Sequence, residues 1–282
     1  MSAQFLEFEK VDRCPGCRGA RIHSKAEREI GQCGECQLYF RNPRPTQAEI
    51  ARSYDIGATF EAWQDEEPAR AKMWQRRLAL LTRHVAGGRL LDVGTGDGRF
   101  LAAAQEGGFA VVGTEVSEAG ASYVRERGFD VHLGQITDLA LPNDSFDLAT
   151  IWHVLEHVPD PAAVLRKIHG LLRPGGILAV AVPNEENFFL RRRFGQAKTS
   201  PFDPLTFGGE IHLSYFRPAT LRAALRAAGF HVMEFGVDDI YHRRNLAMRL
   251  KLWLQQILAR AFGWHFAVAM YAVCRRVERP PQ

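Results

Sequence analysis

The chain has 282 residues, enough for one full-sized core and a small added module. Its 46% hydrophobic and 24% charged residues are those of an ordinary globular protein and exclude the disordered and fibrous classes. The net charge of +4 is unevenly placed: residues 241–282 hold eight basic side chains against the single acid Glu278, so the basic character belongs to the C-terminal stretch.

The opening MSAQFLEFEK has acids where an export signal needs a basic start and an apolar run, which points to a cytoplasmic protein. No uninterrupted apolar stretch reaches the roughly 18 residues of a membrane span, because Lys251 and Arg260 break the best candidate. Cys14, Cys17, Cys33 and Cys36 then follow the spacing C-x2-C-x15-C-x2-C. Each C-x2-C knuckle can turn two thiolates toward one tetrahedral ion, so residues 1–45 are predicted to form a zinc ribbon. Pro15, Gly16 and Gly34 suit the tight turns of such knuckles. A segment this small cannot hold itself together by apolar burial, and structural Zn2+ would replace the missing core. Disulfides or a redox dithiol are the alternatives, disfavoured without an export signal. A closed four-cysteine site has no open position for chemistry, so a structural role is expected ahead of recognition of a partner or substrate. Cys274, in the strand-like VAMYAVC, reads as a small buried apolar residue.

Asn42-Pro43-Arg44-Pro45-Thr46 is turn-rich and would end the ribbon, with Thr46 and Glu49 opening a helix as a capping box. Residues 46–88 read as a helical linker or cap, in which Ala69 to Val85 has helical periodicity and Gly87-Gly88 stops it. From residue 89 to 282 strand and helix patterns alternate. Strands are predicted at 89–93, 110–115, 130–133, 147–152 and 176–182, and helices at 98–107, 118–126 and 162–172. That order predicts an α/β fold whose parallel sheet is covered on both faces.

The first of these strands, Leu90-Leu91-Asp92-Val93, runs into Gly94-Thr95-Gly96-Asp97-Gly98. In a doubly wound sheet this first turn is where a nucleotide cofactor lies, and glycines let the backbone approach it. The spacing G-x-G-x-G, preceded by Asp92, differs from the dinucleotide pattern G-x-G-x-x-G. Negative charge on Asp92 and Asp97 would disfavour a pyrophosphate and favour a cationic amino acid group or a sulfonium. The second strand ends in Glu115, where a carboxylate can accept hydrogen bonds from both ribose hydroxyls.

With these residues in order, the sequence resembles the class I S-adenosylmethionine-dependent methyltransferases, in particular the branch that includes the ubiquinone-biosynthesis O-methyltransferases. The resemblance covers about residues 75–240 and rests on LLDVGTGDGRF, VVGTEVS, FDLATIWHVLEHVPDP, LLRPGGILAVAVPN and HLSYFRPATLRAALRAAGF. It implies a Rossmann-like seven-stranded methyltransferase sheet with helices on both faces, closed by an antiparallel pair at 231–237 and 266–274, beside the small N-terminal zinc ribbon. It also implies S-adenosylmethionine as cofactor and S-adenosylhomocysteine as product. Asp92, Gly94, Thr95, Gly96 and Gly98 would hold the methionine part, Glu115 the ribose, and Val116 the adenine face. Gln135, with Ile136 beside it, stands where many relatives have an acid for the adenine amino group; a glutamine carbonyl can still accept that bond. Trp152 and His153, at the end of the fourth strand, and His212 would lie over the cofactor.

Methyl transfer mainly requires the acceptor atom, methyl and sulfur in line, and a hydroxyl or carbon acid also needs a base. His212 is the first candidate for that base and His153 the second. Glu156 and His157 are expected to shape the loop and cap the next helix. The segment 242–262 is an insertion, basic and with Leu246, Leu250, Leu254, Ile257 and Leu258 at helical spacing. It is expected to pack on its own domain, a substrate lid or peripheral membrane contact being the lesser reading. Arg191-Arg192-Arg193 could meet a phosphate-bearing acceptor but also fits a solvated face. The expected acceptor is a small molecule, a sugar or a lipid-linked glycan, methylated at oxygen or carbon. The rivals are an RNA methyltransferase, disfavoured by a mildly charged ribbon without interleaved aromatic and basic residues, and a non-catalytic recruitment module. A nicotinamide oxidoreductase is disfavoured by the glycine spacing.

Overall fold

The computed structural model describes residues 7–25, 29–56, 67–186, 212–238, 246–262 and 267–278. The arginines at 191–193 and the first part of the predicted insertion, 242–245, lie outside them. Short strands β1 (Phe8–Glu9), β2 (Ile22–Lys25), β3 (Ile30–Cys33), β4 (Tyr39–Arg41) and β5 (Arg44–Pro45) open the chain. Helices α1 (Gln47–Ile56) and α2 (Glu67–Leu81) follow, and Thr46 Oγ1 accepts from Glu49 N at 3.5 Å as the sequence predicts. Arg44–Pro45, predicted as a turn, instead pairs antiparallel with Phe8–Glu9, the extended backbone that prolines favour being used as an edge.

Next come β6 (Gly88–Val93), α3 (Arg99–Glu106), β7 (Phe109–Glu115), α4 (Glu118–Arg125), β8 (Val131–Leu133), β9 (Phe146–Trp152), α5 (Pro161–Leu171) and β10 (Leu172–Pro183). The chain ends through β11 (Ser214–Tyr215), α6 (Pro218–Ala227), β12 (Phe230–Asp238), α7 (Leu246–Phe262) and β13 (Ala269–Arg276). Local sequence fixes the helix starts: Ser117 accepts from Gly120 N to cap α4, and Asp160, followed by Pro161, accepts from Ala163 N to cap α5.

Seven strands form one sheet in the order β12-β13-β10-β9-β6-β7-β8. The pairs from β10 to β8 are parallel, while β13 runs antiparallel to both β10 and β12, as expected for a closing pair. Alternate side chains enter two cores. Leu90, Leu148 and Ala179 meet Phe100, Leu101 and Val124 from α3 and α4 on one face. Leu91, Ala149 and Val180 meet Val164, Leu165 and Leu221 from α5 and α6 on the other.

The N-terminal module is not a separate bead. Its sheet has four strands in the order β11-β4-β3-β2, and the fourth, β11, comes from residues 214–215. Cys14, Cys33, Leu38 and Phe40 belong to the same core as Leu91 and Val180. Further bonds cross the seam: Ala162 N to Pro15 O at 3.2 Å, Arg217 Nη2 to Gln37 O at 2.9 Å, and the Arg18–Asp160 ion pair at 2.9 Å.

Candidate active site

Strand order reverses beside β6: the chain goes outward to β7 and β8 on one side, and to β9 and β10 on the other. The carboxyl ends of β6 and β9 therefore open a crevice. The loop leaving β6 takes positive φ at Gly94 (75°), Gly96 (54°) and Gly98 (75°), a conformation that side chains resist, which explains the three glycines. Across this loop Glu115, at the end of β7, accepts from Gly96 N at 3.1 Å with Oε2, and from Val116 N (2.8 Å) and Ser117 N (3.1 Å) with Oε1. One carboxylate thus ties the glycine loop to the second strand end.

Asp92 is buried and accepts from Thr150 Oγ1 at 2.6 Å; burial pushes its carboxyl up to about 7. Asp97 is buried against Arg70 of α2 at 2.7 Å, with Arg99 Nε at 3.2 Å. Burial thus favours the protonated form of Asp92, and two guanidinium groups stand beside Asp97, so both weaken the negative charge expected beside the loop. Thr95 Oγ1 and Trp152 Nε1 are buried without a hydrogen-bond partner, as expected of groups that a polar ligand completes.

Trp152 lies edge-on to Phe100, with centroids 5.7 Å apart, and the Arg77 guanidinium stands 4.5 Å over its ring. Val116 is exposed, as is Leu133 at the paired end of β8, and the two leave an apolar surface next to Glu115. Gln135 is half-buried, whereas the Ile136 side chain belongs to the core.

The histidines divide. His153 has φ 55°, and its Nε2 sits 2.8 Å from Asp238 Oδ2 with Nδ1 3.6 Å from Glu156 Oε1. Burial alone would lower its pKa, but the hydrogen bonds and charge of Asp238 and Glu156 prevail and raise it to about 9. The two carboxylates that face its ring nitrogens favour the protonated form of His153, which weakens it as a base relative to His212. Asp238 is itself held well below the usual carboxylate range: burial opposes this, and Arg77, bonded to it at 2.5 Å, and His153 outweigh burial.

His212 is buried, its ring 5.0 Å from that of His157 in an edge-on contact. Leu213 N and Ser214 N both donate to Glu156 O, at 2.8 and 3.0 Å, so the segment that carries His212 is pinned to the loop after β9. Glu156 Oε2 is buried without a hydrogen-bond partner, and the surrounding histidines lower the Glu156 pKa although burial opposes it. The structure makes Glu156 the centre of the group rather than a helix cap, a role that Asp160 takes. One ligand atom each from Glu156, His157 and His212 lie within 4.8 Å of one another, a spacing compatible with a cation. Arg70, Arg77 and Asp238 escaped the sequence reading; only Asp238 left a signal, as an acid directly after a predicted strand.

In the ribbon, Cys14 Sγ lies 3.5 Å from Cys36 Sγ and Cys17 Sγ 3.6 Å from Cys33 Sγ, all four within 4.8 Å of one another. The edge of a tetrahedral zinc–sulfur site is about 3.8 Å for bonds of about 2.3 Å, so the donor set fits that ion. Gly16 N, Gly19 N and Glu35 N point at the sulfurs of Cys14, Cys17 and Cys33 from 3.3–3.4 Å, as donors to thiolates do. The hydrogen bond from Cys14 holds the Cys36 thiol down to about 5.

Comparison with known proteins accords with this geometry. A family model described as a methyltransferase domain matches residues 63–234. The ubiquinone biosynthesis O-methyltransferase of Pseudomonas entomophila (strain L48) is 31% identical over 191 residues, covering 65% of this chain and 79% of that protein. This chain belongs to the class I S-adenosylmethionine-dependent methyltransferases. Two solved structures share the methyltransferase fold. A Burkholderia thailandensis 1,6-didemethyltoxoflavin-N1-methyltransferase with bound S-adenosylhomocysteine has TM-score 0.56 and 19% identity, covering 92% of this chain and 100% of that one. An S-adenosylmethionine-dependent methyltransferase from Thermotoga maritima has TM-score 0.56 and 20% identity, covering 81% and 100%. Among the described residues no helix is long and apolar enough to cross a membrane.

Proposed function

We propose that this methyltransferase acts on a small-molecule acceptor, at oxygen or carbon, with a structural zinc ion in the four-cysteine ribbon. The observation that carries the reading is the Glu115 carboxylate at the end of β7, hydrogen-bonded to Gly96 of the loop that leaves β6. In it the amino acid and ribose ends of a nucleoside cofactor site meet. Asp92, Gly94, Thr95, Gly96 and Gly98 take the methionine part and Glu115 the ribose. Val116 supports the adenine, with Gln135 and the backbone of Ile136 at its edge, and Trp152 closes the side toward α2. The cofactor supplies an electrophilic methyl on a sulfonium. The chain's own work is to orient the acceptor, exclude water and take up its proton.

His212 is the group proposed to take that proton, its ring set by His157 and by the backbone bonds from residues 213 and 214 to Glu156. His153, between Asp238 and Glu156, is proposed to contribute positive charge instead, since both carboxylates favour its protonated form. The likeness to a ubiquinone O-methyltransferase favours a phenol-like acceptor hydroxyl, for which such a base is needed. Sugar and lipid-linked acceptors share that requirement when the acceptor atom is a hydroxyl.

Calorimetric titration with S-adenosylmethionine, S-adenosylhomocysteine and NAD tests the assignment of the site. Binding of the first two but not the third, weakened at least about tenfold in Glu115→Ala, is expected from the loss of charged hydrogen bonds. Unchanged affinity in that variant removes Glu115 from the site. With an acceptor in hand, His212→Ala should lose roughly 10²–10⁴-fold in kcat with cofactor affinity kept; an unchanged kcat removes the base. Metal analysis of the same sample should find one zinc per chain.

A further inference from the structure

Helix α7 has the sequence LAMRLKLWLQQILARAF, in which there is no acid. The expectation that its apolar stripe packs inward is overturned for Leu250, Leu254 and Ile257, whereas Leu258 is half-buried. Leu250 is 63% exposed, Trp253 62%, Leu254 51% and Ile257 38%. The helix is instead seated on β12 by small and polar side chains. Gln255 and Ala259 are buried, Gln256 Oε1 accepts from Val237 N at 3.0 Å, and a Cβ on Gly236 would stand 2.6 Å from Gln256 Nε2. Glycine at 236 therefore leaves room for a glutamine to anchor the helix.

Residues 250, 253, 254 and 257 are spaced i, i+3, i+4 and i+7, which is one face of a helix. At about 100° per residue, position 251 falls on one flank of that face, and positions 249 and 260 fall on the other. The three residues are Lys251, Arg249 and Arg260, and from residue 240 to 277 the sequence contains no acid. We propose that α7 is a docking face for an anionic lipid bilayer surface, its Leu–Trp–Ile side chains sinking below the phosphates and its flanking cations resting among them.

The 17-residue helix is about 25 Å long, suited to lie along a surface, and is not long and apolar enough to cross one. A second copy of the chain is the poorer occupant, because two such faces meeting would set one basic flank against another with no acid to relieve them. An acidic protein surface would match the charge, but a large tryptophan and three aliphatic side chains flanked by cations match a headgroup boundary on both counts. The inference is independent of the acceptor and of the roles given to His212 and Glu115.

The test is flotation of the full chain with phosphatidylcholine vesicles and with vesicles that also contain phosphatidylglycerol, alongside light scattering without lipid. The chain is expected to float with the anionic vesicles, to be released by salt, and to remain behind with the neutral ones. The double variant Leu250→Gln with Leu254→Gln should partition about tenfold less, and Lys251→Glu should weaken binding to a smaller degree. The double variant should keep the wild-type melting curve because Leu250 and Leu254 face solvent. Failure to float with either vesicle, equal flotation with both, or unaltered partition of the double variant would each overturn the proposal. A dimer in light scattering that the double variant abolishes would overturn it in favour of a second copy.

Discussion

Along the seven-stranded sheet, neighbouring residues of a strand serve two cores, Leu90 one and Leu91 the other. The four-stranded sheet is instead organised around four sulfurs and borrows one of those cores through Cys14, Cys33, Leu38 and Phe40. The large sheet has enough apolar surface to hold itself, whereas the small one leans on a neighbour on one side and, in the function proposed above, on an ion on the other. The comparison explains why β11, a segment of the catalytic body, is spent on completing the ribbon.

The most severe way to break this comparison is to remove a sulfur. Cys33→Ser should lose the zinc, and with it most of the roughly 10–16 kcal/mol such a site supplies, so that ribbon amides exchange freely while the sheet around Leu90 stays protected. Hydrogen exchange and metal analysis read this directly: a ribbon still protected after the zinc is lost would show that the ion is dispensable, and retained zinc would show that Cys33 is not needed to hold it. Next in size is Phe40→Ala, which empties a fully buried site at the seam and should cost about 3–5 kcal/mol in denaturant unfolding. A cost under about 1 kcal/mol would mean that the ribbon leans on its neighbour less than the shared core indicates.

A smaller effect concerns charge inside the catalytic body. The folded pKa of His153 is raised from 6.5 to about 9, so the stability it contributes is complete below its unfolded value and is lost as pH rises through about 9. The melting temperature should therefore fall between pH 7 and 9, and Asp238→Asn should flatten that slope by removing the principal partner. An equally steep slope in the variant would place the proton elsewhere. The mildest change is Arg18→Ala, which cuts a half-exposed ion pair across the same seam as Phe40 and should alter stability by less than about 1 kcal/mol. A larger loss would show that charge, rather than packing, joins the ribbon to its neighbour.

Much of this was legible in sequence because the physical signals were local. The C-x2-C pairs, the glycines that require positive φ, and strands such as Leu90 to Val93 that are buried on both faces all announce themselves within a few residues. What escaped joins distant positions. Ser214–Tyr215 is too short to show periodicity, yet it completes the ribbon sheet. Arg77 and Asp238 meet across 161 residues, and nothing near either one marks the other. In α7 the pattern was read correctly as amphipathic, but pattern alone cannot say which face looks inward. Gly236 and Gln256 decided that.

The pairing of β4 with β11 also sets a timetable. As the chain emerges during synthesis, Cys14 to Cys36 are available to a metal early, but the outer edge of β4 has no partner until Ser214 and Tyr215 arrive. A module begun before the large sheet is finished only after strands β6 to β10 of that sheet have been made. A nascent chain halted before that point would carry an open strand edge, the kind of surface on which chains associate wrongly.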